Sequence, residues 1–319
     1  MKPLLLLAGA SILSLSLHAQ NPITQVAPAN QPYKLQYNNL RIGNTAYAQK
    51  VMQAWKQYDE NKMDAATTFL ADNAVGIFSD GTVVMGADNL NKLFRDVRNS
   101  FASINEDVYA CTTLKSPDDP EHEFVVIWGR ETDTKKDGSN QKKLIHEVWR
   151  FNKDGKADEC RQYIIPERAE NESKQAPVKD QTYPVLKNIS LGNPAYSDIV
   201  LKIWKDFENN SMDNSRPYFT DNVVGHSSAG MVVTGKENMF KTSNDFRNSL
   251  KDVKFRMVAC TTLKSPGDPD HEIVMIWAER YFTMQDGMVL KTNAQEGWYF
   301  NKQGKIDQFY QFSALMPKE

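Results

Sequence analysis

The chain repeats itself. Residues 111–128, CTTLKSPDDPEHEFVVIW, return as residues 260–277, CTTLKSPGDPDHEIVMIW, at a constant shift of 149 residues. The same shift places Trp55 on Trp204, Gly81 on Gly230, Arg98-Asn99-Ser100 on Arg247-Asn248-Ser249, Glu147 on Glu296 and Trp149 on Trp298, without a gap. Solenoid repeats run to roughly 20–50 residues. A unit more than twice that long is a whole domain, so the chain reads as two related domains, 43–165 and 183–319. Between them lies 166–182, PERAENESKQAPVKDQT, polar and without apolar periodicity, which reads as a linker.

Within each unit the order of predicted elements is the same. Tyr47, Val51, Ala54, Trp55 and Tyr58 fall at helical spacing, as do Tyr196, Val200, Ile203, Trp204 and Phe207. A second short helix is expected over 64–70, with a copy that begins at Met212 and carries Pro217 in its first turn. Residues 75–85 and 224–234 read as strand pairs turned at Gly81 and Gly230. Leu90, Leu93, Phe94, Val97 and Phe101 give a third helix, and long strands with tight turns complete each copy. Helices first and an antiparallel meander afterwards point to an α+β architecture.

The first twenty residues read as an export signal: Lys2, an apolar run from Leu4 to Leu17, and Ala19 ahead of a cut before Gln20. Residues 21–42 read as a flexible lead-in. The expected location of the mature chain is periplasmic or secreted, with no membrane segment left after cleavage. A net charge of −2 and the lack of a dense Lys/Arg run argue against a nucleic-acid partner. The chain has no Gly-rich phosphate loop, CxxC, HExxH or nucleophile-elbow motif, so no cofactor or metal is expected. Cys111, Cys160 and Cys260 read as buried small hydrophobes, and a Cys111–Cys260 bridge requires the two sheets to pack on a pseudo-twofold axis.

The order of these pieces, with ADNAV, a Gly after the first hairpin and a strand ending WRFNKDGK, resembles the nuclear transport factor 2-like superfamily, which includes SnoaL-like cyclases and ketosteroid isomerases. The resemblance implies two tandem SnoaL-like cone domains, each with N-terminal helices on a curved antiparallel sheet that encloses one apolar pocket. It places a pocket acid at Glu147 and Glu296, the isomerases' general base at Phe78 and Ser227, and their helix-borne phenol at Ala54 and Ile203. The last two positions hold no group that can do the work. The cyclases' His near the last strand is missing from ADECRQY and IDQFYQF.

The candidate ligand-binding residues are therefore Glu147, Trp149, Phe78 and Tyr58 in the first copy and Glu296, Trp298, Ser227 and Phe207 in the second, with no catalytic residue assigned. Glu147, Trp149 and Phe151 alternate onto one strand face, as do Glu296, Trp298 and Phe300. An acid among aromatics reads as a carboxyl whose pKa rises on burial and which binds a polar ligand group; the bland alternative is an acid that satisfies a backbone or Arg partner. His226 beside Ser227 suggests that the second pocket is the more polar, although neighbouring strand residues point to opposite faces. His122 and His271 sit in Asp-rich turns that match no metal-ligand spacing, and His146 points away from Glu147 and is expected to be exposed. The expected function is binding of a small, partly apolar ligand or of a partner protein. The alternatives are an isomerase, cyclase or dehydratase using a pocket Glu, and a structural intramolecular pseudo-dimer whose cavities are filled by Trp149, Trp298 and Phe78.

Overall fold

The computed structural model describes residues 31–167 and 189–316. The export signal, residues 21–30 of the lead-in and residues 168–182 of the linker lie outside the described residues.

The first domain runs β1 (Arg41–Ile42), α1 (Thr45–Asp59), α2 (Met63–Ala66), β2 (Leu70–Ile77), β3 (Val83–Met85), α3 (Ala87–Ser100), β4 (Phe101–Ser116), β5 (Asp119–Lys135), β6 (Asn140–Phe151) and β7 (Ala157–Pro166). Its seven strands lie in the order β1-β4-β5-β6-β7-β2-β3, antiparallel except where β2 pairs parallel with β7. The second domain repeats the scheme: β8 (Ser190–Leu191), α4 (Pro194–Glu208), a 3-10 helix (Met212–Tyr218), β9 (Phe219–Ser227), β10 (Val232–Thr234), α5 (Lys236–Ser249), β11 (Leu250–Ser265), β12 (Asp268–Met284), β13 (Val289–Phe300) and β14 (Ile306–Leu315). Its sheet is the same, read from the other edge. The tandem α+β architecture expected from the repeat is the one observed.

The repeated motifs earn their places by holding helix to sheet. Asn44 and Asn193 cap α1 and α4, each side-chain oxygen accepting a backbone N–H at 3.1 Å. Their own N–H groups donate to Glu123 and Glu272 at 2.6 Å, so the HE of each Asp-rich turn anchors a helix start. At the other end the buried Arg98 guanidinium donates to the Tyr58 and Asp59 carbonyls, each at 3.0 Å, and Arg247 repeats this on Phe207 and Glu208. These bonds satisfy carbonyls that a helix C-terminus leaves open.

Several local expectations need correction. The second helix ends at Ala66, and β2 begins at Leu70, five residues before the expected strand start. Its copy is a 3-10 helix with Pro217 near the end instead of in the first turn. Residues 33–42 are packed: Leu35 and Leu40 are buried, and the Gln36 and Tyr37 N–H groups donate to Met257 and Val258 of β11 at 3.2 and 2.9 Å. The cysteines are free and buried. Cys111 and Cys260 each face their own helix, near the Ala48 and Ser197 carbonyls, so a bridge between the domains is excluded by direction.

The opposite faces of the two sheets meet each other. Leu114, Val126, Ala259, Leu263, Met275 and Trp277 form one buried cluster, and Tyr163, Ile165, Phe312 and Ala314 another. Leu114 and Leu263 are equivalent under the repeat, as are Tyr163 and Phe312, so like meets like as a twofold relation requires. His146 lies in this layer, fully buried, stacked on Trp128 at 4.7 Å. It does point away from Glu147, but the second domain covers it, which corrects its expected exposure. Among the described residues no helix is long and apolar enough to cross a membrane.

Candidate functional site

Glu147 sits on β6 beneath α1, where strand alternation sends it, Trp149 and Phe151 inward. Its oxygens are occupied. Trp55 Nε1 and Trp149 Nε1 both donate to Oε2 at 2.8 Å, and Gln162 Nε2 donates to Oε1 at 3.0 Å. Glu296 has the same environment, taking Trp204 and Trp298 at 3.0 Å each and Gln311 at 2.6 Å. Burial raises both carboxyl pKa values, and these hydrogen bonds, with Arg280 acting on Glu296, pull them back. Because the cluster is identical in both copies, its first role is to pin each long helix to its sheet.

Beside this cluster the two domains differ. In the first, a cavity of about 310 Å³ opens between α1, α3 and the sheet. Trp55, Phe69, Phe78, Phe94 and Trp149 form its apolar walls, with Tyr58 at the rim of α1. Phe78 packs against Phe94 at 6.1 Å and so lines the cavity without filling it. The polar end is made by Glu106, Glu131, Lys143, Glu147 and Gln162. Lys143 Nζ pairs with Glu131 and with the fully buried Asp133, the latter at 2.9 Å. Glu106 Oε2 is buried and has no hydrogen-bond partner.

These charges shape one another. Burial pushes Glu131 up to about 8, with Lys143 opposing and Asp133 reinforcing the rise. Burial, together with the charges of Asp59, Glu131 and Glu147, holds Glu106 well above the usual carboxylate range. Burial alone lowers the Lys143 ammonium, but Glu131 and Asp133 more than offset it. The polar end therefore sets the Lys143 ammonium between Glu131 and Asp133, with Glu106, its pKa raised by burial, beside them.

In the second domain the equivalent positions carry Phe255 for Glu106, Arg280 for Glu131, Phe282 for Asp133, Thr292 for Lys143 and Phe309 for Cys160. Phe255 packs edge-on against Trp204 at 4.6 Å and Phe309 stacks on Trp298 at 4.8 Å. Arg280 turns inward toward Glu296 at 3.8 Å and bonds Thr292 at 3.1 Å. Aromatic and guanidinium groups thus occupy the level where the first domain has its carboxyls.

This reverses the expectation that the second pocket is the more polar. His226 and Ser227 lie outside it, on the cleft between the domains, where His226 stacks on Tyr310 at 4.5 Å. Phe207 is a core residue against Phe246 and Phe255. Trp298 is buried in the Glu296 cluster. Of the eight candidates, the structure brings Glu147, Trp149, Phe78 and Tyr58 together around one cavity and does not assemble the other four into a site. His122 and His271 serve their turns, bonding Asp119 at 2.8 Å and Asp268 at 2.9 Å.

Four groups went unrecognised in the sequence: Glu106, Glu131, Asp133 and Lys143. A signal was there. Glu106 alternates with the core residues Ile104 and Val108, Glu131 with Ile127, and Lys143 with Ile145, so each charge stands on an inward face. Each is also a position where the second copy has lost the charge or reversed it.

No family model and no curated protein matches the chain. Solved structures do. An NTF2-like protein of unknown function from Burkholderia pseudomallei is 18% identical, the match covering 38% of this chain and 90% of that one at a TM-score of 0.32. A protein with a ketosteroid isomerase-like fold from Catenulispora acidiphila, in complex with trimethylamine, is 11% identical over 35% of this chain and 83% of its own, at 0.30. An LEH-like epoxide hydrolase from M. tuberculosis is 12% identical over 37% and 83%, at 0.31. Activity does not transfer at this distance. On its own topology, three helical segments with a seven-stranded sheet that holds one parallel pair, each half of the chain has the nuclear transport factor 2-like fold its motifs resemble.

Proposed function

We propose that this is an exported two-domain binding protein whose working pocket lies in the first domain, the second serving as its filled, structural counterpart. One observation carries the reading: a cavity with aromatic walls ends in Glu106, Glu131 and Lys143, and the second copy replaces them with Phe255, Arg280 and Thr292. Cavities of about 300 Å³ and above take small molecules, and a few convergent polar groups orient them. The ligand is a ring-sized molecule with a carbonyl or hydroxyl end, because the aromatic walls take the ring and Glu106, Glu131 and Lys143 stand where they can hydrogen-bond such an oxygen. The export signal supports a site of action in the periplasm or outside the cell. Fractionation of cells expressing the full chain checks this, with the mature protein expected to start at Gln20.

The bicyclic ketone 1-tetralone is a suitable probe. Saturation-transfer NMR on the mature protein is expected to detect binding that is lost in an Ala54→Ile/Glu106→Phe double variant, in which a bulkier side chain enters at Ala54 and the Glu106 carboxyl is replaced. Unchanged binding by the folded variant overturns the assignment.

A second reading, proton-transfer catalysis, is favoured by one feature: Glu131 faces the cavity with its pKa raised by burial to about 8, toward the range where a general acid or base is most effective. Hydrogen–deuterium exchange at the enolisable position of bound 1-tetralone separates the two. Exchange well above the buffer rate that vanishes in Glu131→Gln supports the enzyme; exchange at the buffer rate leaves the binding protein.

A further inference from the structure

The contact between the two sheets departs from its twofold symmetry at one buried hydrogen bond. On one side Trp277 Nε1 donates to His146 Nε2 at 3.1 Å, while His146 Nδ1 donates to the Ile127 carbonyl at 3.1 Å. The repeat makes Trp128 the counterpart of Trp277 and Gln295 the counterpart of His146. That second bond is not formed. Trp128 Nε1 and both amide atoms of Gln295 are buried without a hydrogen-bond partner, and Gln295 is 0% exposed. Native interiors leave few polar atoms in that condition, and each one calls for an explanation.

Both residues line a cleft of about 890 Å³ between the domains. Gln295 shares its strand face with Gly297 and Tyr299, and Gly297 leaves open the space that Val148 fills in the first copy. Tyr109, set out by a bulge in β4, Tyr299, and Tyr310 stacked on His226 complete an aromatic wall. At the mouth Arg130 makes two bonds of 2.9 Å to Glu167. On the opposite side of the pseudo-twofold, Tyr37 and its neighbour Gln36 lie in the equivalent cleft and bond β11 there.

We infer that the open cleft is a second ligand site, separate from the first-domain pocket, for a planar, uncharged heterocycle with a lactam or imide edge. A carbonyl beside an N–H pairs with the donor and acceptor of the Gln295 amide. The second lone pair of that carbonyl takes the Trp128 N–H. The ring stacks among the tyrosines, an arrangement that aromatic side chains favour, and the neutral amide of Gln295 matches an uncharged edge.

The test uses the mature full chain with 2-quinolone, a bicyclic lactam, against naphthalene, which has the same two-ring body and no amide edge. Calorimetry is expected to give 2-quinolone an affinity at least about tenfold above that of naphthalene. Gln295→Leu is expected to erase this preference while leaving the thermal midpoint unchanged or higher, because it removes an unpaired buried amide. Glu131→Gln, in the other pocket, is expected to leave the preference intact. If Gln295→Leu does not fold, Trp128→Phe removes the indole donor alone and is expected to weaken 2-quinolone selectively. Equal affinities for the two compounds, or a preference that survives both substitutions, overturn the proposal. So does protection of residues 168–188 from hydrogen exchange with neither compound bound, which would assign the cleft to the chain's own linker.

Discussion

Glu147 and Glu131 stand on neighbouring strands and face the same cavity, yet their surroundings give them opposite characters. Three fixed N–H donors surround Glu147, and the same arrangement recurs around Glu296 where the carboxyls beside it are absent. Glu147→Gln and Glu296→Gln are therefore expected to destabilise their domains to a similar degree, by about 1–3 kcal/mol in urea unfolding, since each places an amide N–H among donors. Glu131 behaves differently. Its carboxyl titrates near 4.5 when unfolded and at about 8 when folded, so the folded state holds the extra proton between those values. Stability from this group is complete below about pH 4.5 and is lost as pH rises to about 8. Urea midpoints between pH 5 and pH 8 are expected to fall more steeply for the wild type than for Glu131→Gln. Parallel slopes would place Glu131 in an ordinary, solvated setting. The aromatic neighbours of Glu147 were legible because they alternate within a single strand. The Glu131–Lys143–Asp133 group was not, because its members come from β5 and β6 and meet only through strand pairing.

Among the elements, the long helices were the most legible, because a packed helix writes its buried face at a spacing of three and four residues. Strand starts were less so: β2 begins among Leu70, Ala71 and Asp72, where the chain still has helix-like composition, and parallel pairing with β7 decides the matter. Two equivalent glycines on the strands beside β7 and β14 now have distinct reasons. A Cβ at Gly225 would collide with the ring of Phe309, the residue that stacks on Trp298. A Cβ at Gly76 would come within 2.5 Å of Leu90 and 2.9 Å of Phe78, on the cavity side of the first domain. Both alanine substitutions are expected to cost about 1–3 kcal/mol by overpacking. Gly76→Ala is also expected to weaken 1-tetralone binding by displacing Phe78, whereas Gly225→Ala is not; equal loss of binding in both would argue that the two domains share the ligand.

For the whole molecule, duplication has kept the scaffold and divided the interior. Both copies retain the helix caps, the arginine on the helix C-terminus and the Trp-Glu-Trp cluster, while the carboxyl-lined cavity belongs to one copy. The interface is divided too, closed by Trp277 and His146 on one side and open at Gln295 on the other. Burial holds His146 neutral, with its pKa down to about 3. An unfolded His takes its proton near 6.5, so His146 contributes stability that is present above that pH and lost as pH falls toward 3. His146→Gln is expected to flatten the acid limb of a stability profile, and an unchanged limb would mean that the domains do not stay joined through this contact in solution. The domain count and order were legible from the repeat alone, whereas the pairing of the two sheets was an expectation drawn from the resemblance, because the residues that meet carry no periodic signal of a partner.

The most direct measurement is isotope-filtered NMR of the mature protein with bound 1-tetralone, its methyl groups labelled. Contacts from the ligand to Leu93 and Ile164, which line the first-domain cavity, are the expected result. Contacts to Ile203 or Met239 in the core of the second domain, or none at millimolar ligand, would contradict the placement of the working pocket in the first.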